Sequence, residues 1–79
     1  MYAKINGVGM RCIKADTDPD GVRVELWAKR EYGQITASTV WAVRLIDLDS
    51  AETIGTTTME GDDAARVAFN HYTTALRGY

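Results

Sequence analysis

Residues 16–29, "DTDPDGVRVELWAK", admit two incompatible readings, and the choice between them decides the fold. Asp16, Asp18 and Asp20, closed by Gly21, begin as an EF-hand calcium loop begins, with oxygen ligands on alternate positions and glycine at the sixth. Counted from Asp16, the twelfth position must supply a bidentate carboxylate, and it is Trp27. The eighth, normally an aliphatic that joins the loop to the core, is Arg23. Helices should flank such a loop, but "GVRVELWAK" alternates apolar and polar residues with period two, which is a strand. Pro19-Asp20-Gly21 has its own explanation, since proline presets φ at the first central turn position and glycine takes the position that needs φ > 0. The stretch reads as a hairpin turn followed by a strand. Weak calcium binding by Asp16, Asp18 and Asp20 is the alternative it leaves.

The same two signals recur on either side. "YAKINGVGMRCIKA" (2–15) holds Asn6-Gly7, a strong hairpin signal, and predicts strands at 2–5 and 8–15, or one long strand with a bulge. Within 22–29, Val22, Val24, Leu26 and Ala28 share one face, and Arg23, Glu25, Trp27 and Lys29 the other. A turn at Gly33 follows. "QITASTVWAVRLI" (34–46) then sets Ile35, Ala37, Thr39, Trp41, Val43 and Leu45 on one face. "DLDS" is a turn, and "AETIGTT" a short edge strand. The remainder has helical period. A helix of about five turns is expected from near Met59 to Arg77, with a capping box at Thr57 and Glu60 and a stop at Gly78. Ala65, Ala68, Phe69, Tyr72 and Leu76 form its apolar stripe. The expectation is one two-layer α+β domain over residues 1–79, a four- or five-stranded antiparallel sheet with one C-terminal amphipathic helix packed on one face.

Composition narrows the class. An apolar share of 46% and a charged share of 25% are globular values, so the chain is expected to fold. Cys12 is the single cysteine, which excludes an intrachain disulfide and points to a reducing compartment. No apolar run has the length of a membrane span and the first residues lack a signal-peptide core, so a cytoplasmic protein is expected. The net charge of −2 hides an asymmetry. Residues 1–46 hold seven bases against five acids, whereas residues 47–79 hold six acids against Arg66 and Arg77.

No motif argues for catalysis. Cys12 has no histidine or other activating partner nearby in sequence, and His71 is the one histidine, on the helix flank. One cysteine and one histidine fall short of a zinc ligand set, and "NGVGM" is a hairpin, not a phosphate loop. Glu60, Asp62 and Asp63 are read as complements of the helix dipole. A non-enzymatic protein with no cofactor and no metal is expected. Two surfaces are candidates for a protein partner. A single helix leaves one sheet face bare, and alternation places Arg11, Ile13, Arg23, Glu25, Trp27, Lys29, Val40, Ala42 and Arg44 there. The second surface is the acidic half, with Asp47, Asp49, Glu52, Glu60, Asp62 and Asp63. A two-fold homodimer through Trp27, Ile13 and Val40 would cover the bare face. The alternative function is a small nucleic-acid-binding domain, with Trp27 stacking a base and Arg11, Arg23, Lys29 and Arg44 on phosphates. Overall acidity argues against direct nucleic-acid binding.

In size and plan, across all 79 residues, the chain resembles the small phage-encoded anti-CRISPR inhibitors. Those are small, cysteine-poor single domains of a few antiparallel strands and a helix, without catalytic signatures. The resemblance implies a protein that binds a CRISPR effector complex and blocks its access to target DNA.

Overall fold

The computed structural model describes residues 2–29 and 38–77. Five strands run in chain order and pair only with their neighbours, all antiparallel: β1 (Tyr2–Ile5), β2 (Val8–Thr17), β3 (Val22–Lys29), β4 (Val40–Asp47) and β5 (Glu52–Glu60). The sheet curls into a half-barrel, and one helix, α1 (Ala64–Leu76), packs against it. This is the expected α+β plan with five strands. The expected turn at Gly33, the face positions Ile35 and Ala37, and the Gly78 stop lie outside the described residues.

Local chemistry explains the connections. Asn6 and Gly7 both have positive φ, 51° and 83°, as a two-residue hairpin turn requires. In the next turn Asp18 Oδ1 accepts the N–H groups of Asp20 and Val22, at 2.8 and 2.9 Å. Gly21 supplies the positive φ of 84°. Of the aspartates in "DTDPDG", Asp18 therefore braces the hairpin. Asp16 Oδ2, on the strand before it, accepts the Tyr72 hydroxyl at 2.5 Å.

Two sequence expectations are corrected here. The helix starts at Ala64 and not near Met59, because Met59 and Glu60 still pair with Trp41 and Val40 in the sheet. Thr57 and Glu60 are therefore strand residues and form no capping box. Gly61, at φ 111°, breaks the strand, and Asp63 takes the N-cap position without a side-chain capping bond. The buried stripe is also rotated from the one expected. Ala64, Ala68, Tyr72 and Ala75 are buried, Ala65 and Leu76 pack partly, and Phe69 is 45% exposed with its ring 5.5 Å from that of Trp41. Three alanines let the helix approach a sheet whose bulk comes from Val24, Leu26, Trp41, Val43 and Met59. In β4, Thr39 precedes the strand, while Ser38 accepts the Trp41 indole N–H on its carbonyl at 2.8 Å.

Candidate protein-binding surface

The sheet face opposite the helix is not bare. β3 alternates as its sequence demands, with Val24, Leu26 and Ala28 in the helix-side core and Trp27 on the other side. Trp27, however, is 0% exposed. It packs in a second apolar cluster with Ile5, Met10 and Ala42, flanked by Ala3, Val8, Cys12 and Val40. An indole in that position offers no ring for stacking a base and no anchor for a partner. Homodimer formation through an exposed Trp27 loses its premise for the same reason.

Arg11 and Ile13 are on the wrong side for the expected patch. A bulge in β2 falls between Cys12, paired with Trp27, and Lys14, paired with Leu26, so one extra residue shifts the strand's alternation. Arg11 pairs with Ala28 on the helix side, its guanidinium 5.9 Å from the Tyr2 ring centre, and Ile13 packs against the helix-side core. Met10 and Cys12 take the Trp27 side instead.

What the Trp27 face does hold is a charge cluster. Glu25 is buried, and its carboxylate accepts Arg23 Nε at 2.9 Å, Arg44 Nε at 2.7 Å and Trp27 Nε1 at 3.1 Å. The Arg44 guanidinium also lies 4.8 Å from the Trp27 ring centre, in cation–π geometry. Burial alone raises the Glu25 pKa, but the hydrogen bonds from Arg23, Arg44 and Trp27 together outweigh it and hold the carboxyl below its ordinary value. Arg23 and Arg44 are thus committed to neutralising a buried charge, with 39% and 23% of their side chains exposed. Lys29 is exposed at the strand end.

The remaining polar candidates are dispersed. The Cys12 thiol is half-buried, and burial and then the Glu25 charge push its pKa up, away from nucleophilic character. It lies on the sheet face opposite α1, which carries His71. Among the described residues no three His, Cys, Asp or Glu side chains are placed to hold a metal ion, and no helix is long and apolar enough to cross a membrane.

The acidic half divides in two. Asp47, Asp49 and Glu52 cluster at the β4–β5 turn, while Glu60 ends β5 and Asp62 and Asp63 come just after it. Glu52 and Glu60 are the two ends of this nine-residue strand, about 26 Å apart at roughly 3.3 Å per residue. Between Asp47 and Gly55 stand two residues that sequence reasoning passed over, Leu48 at 49% and Ile54 at 59% exposed. Leu48 is fixed by its backbone N–H, which donates to the Gly21 carbonyl at 3.2 Å. Ile54 is the unpaired residue of a second bulge, since Gly55 pairs with Leu45 and Thr53 with Ile46. Its outward position follows from that bulge, which period-two alternation does not signal. Asp47 Oδ1 accepts the Asp49 N–H at 2.9 Å, and Ser50 Oγ the Glu52 N–H at 3.3 Å, so the turn is internally braced.

No family model matches this chain, and no curated protein or solved structure matches it significantly.

Proposed function

We propose that the chain is a non-enzymatic protein-binding module that docks through its β4–β5 side onto a basic protein surface. The observation that carries this reading is the pair Leu48 and Ile54, two large aliphatics held in water beside Asp47, Asp49 and Glu52. An apolar anchor with a charged rim is the composition of a protein interface, where the apolar centre supplies affinity and the charges supply orientation. The resemblance to phage-encoded inhibitors names the partner class to be tried first, a CRISPR effector complex. Its nucleic-acid channel is strongly positive, so an acidic surface seated there would block access to target DNA.

The test is electrophoretic. An assembled effector–guide complex is mixed with labelled target duplex and increasing amounts of this protein. Target binding is expected to disappear with the wild-type chain and to survive with Leu48→Arg or with Asp47→Lys combined with Asp49→Lys. Unchanged target binding at about 10 μM protein, the weak end for a specific complex, overturns the inhibitor assignment. A shift of the duplex by this protein alone at physiological salt would replace the reading with direct nucleic-acid binding on the Arg23 and Arg44 face.

A further inference from the structure

β5 lies at one edge of the sheet, hydrogen-bonded to β4 and, among the described residues, to no strand on its other side. Edge strands of this length are normally blunted by proline, by lysine or by a twist that turns the edge away. β5 contains no proline and no basic residue. Its one protective feature, the bulge at Ile54, sits near the turn and leaves Gly55–Glu60 in regular register with β4. That segment reads "GTTTME", with Thr56, Thr57 and Thr58 all exposed and β-branched, which suits an extended backbone. A run of outward N–H and C=O groups in this setting is a template for one more strand.

Charge decides what that strand can be. From Asp47 to Asp63 the sequence holds six carboxylates and no base, with Glu52 and Glu60 at the two ends of β5. A second copy is the poorest occupant. Full-length antiparallel pairing of β5 with itself sets Glu52 opposite Glu60 at both ends, and like charges directly opposite destabilise a strand pair. We infer that β5 captures its partner by strand addition, and that the added segment is extended, rich in β-forming residues and flanked by lysine or arginine. This inference rests on the protein-binding reading above and supplies its chemistry.

The probe is a synthetic peptide of alternating valine and threonine, matched to β5 in length and ended by lysines, with a glutamate-ended peptide as control. Amide shifts and hydrogen exchange of the isotope-labelled chain are followed during titration. Saturable shifts and slowed exchange at Gly55–Glu60 are expected with the lysine-ended peptide. Its affinity should exceed that of the control by roughly tenfold or more at low salt, with the ratio shrinking as salt screens the end charges. Successive strand residues send their N–H groups to opposite sides, so of Thr57→Pro and Thr58→Pro one spares the β4 ladder. The variant that keeps the wild-type melting temperature should lose peptide binding by roughly tenfold or more. Silent β5 amides at millimolar peptide, equal binding of both peptides, or a dimer protected along β5 would each overturn the inference. Shifts at Leu48 and Ile54 with silent amides across Gly55–Glu60 would overturn strand addition alone and leave the protein-binding reading intact. Conversely, β5 shifts beside an unaffected effector complex would remove that partner and keep the edge.

Discussion

Glu25 is the residue on which the second sheet face depends. Its buried carboxylate is acceptable only because three donors converge on it, and removing one side of a buried ion pair leaves the other side uncompensated. Glu25→Ala is expected to cost about 3 kcal/mol in urea unfolding, more than any surface charge change. Because its folded pKa is depressed from an ordinary 4.5, its contribution is full above that pH and is lost as the pH falls through the lower folded value. Acid unfolding curves should therefore steepen below about pH 4.5 in wild type and flatten in Glu25→Gln. Tyr72 has the opposite sign. Burial first, and then the hydrogen bond to Asp16, raise its pKa, so its contribution is full below about pH 10 and is lost only as the pH climbs beyond that. Tyr72→Phe should lower stability by about 1 kcal/mol at neutral pH and blunt the alkaline loss. A Trp27→Glu substitution, chosen to disrupt an exposed interface, would instead place a second acid in the apolar cluster beside Glu25 and unfold the chain.

At the scale of elements, the turns make the most direct predictions. Ala51 holds φ at 59°, a conformation that costs an L-residue with a Cβ, so Ala51→Gly should raise the melting free energy by about 0.5–1 kcal/mol. Gly7→Ala should lower it by a similar amount. No atom lies within 4 Å of the added methyl, so the whole effect would be backbone strain at φ 83°. These elements are also where sequence legibility divides. The two faces of β3 were readable, since Val22–Lys29 alternates without interruption, but alternation does not show that Glu25 and Trp27 are buried; Asn6-Gly7 and Pro19-Asp20-Gly21 announced their turns. The faces of β2 were not readable. Nothing in "MRCIKA" distinguishes a regular strand from one with an extra residue at Ile13, because the residues are ambiguous in polarity and the bulge is set by what Trp27 and Leu26 demand across the ladder. The helix start failed for a related reason. Thr57 and Glu60 have the spacing of a capping box, but Met59 gains more as a core residue of β5 than as a helix residue. Leu48 and Ile54 went unmarked because one sits in a polar turn and the other in a bulge.

For the molecule as a whole, the decisive property is that both sheet faces carry their own apolar cluster. A chain of this size is usually short of core, and a second cluster beneath Arg44 and Arg23 relieves the need for a second subunit. Sedimentation of the wild-type chain at tens of micromolar should therefore give a monomer, whereas a stable dimer would mean that some other surface is self-complementary. The bulge at Ile13 has a wider consequence. Everything before it in β2 faces the side opposite to where simple alternation from Lys14 onward would place it, so the strand is two phases joined at one residue. Deleting that residue would make Cys12–Trp27 and Lys14–Leu26 consecutive pairs of a regular ladder, with Arg11 and Met10 still on their present faces, whereas deleting a residue further along β2 would turn the side chains on one side of the gap to the wrong face. Length variation among descendants should therefore fall in the connections between strands and, within β2, at Ile13, where one residue can be lost and both clusters kept.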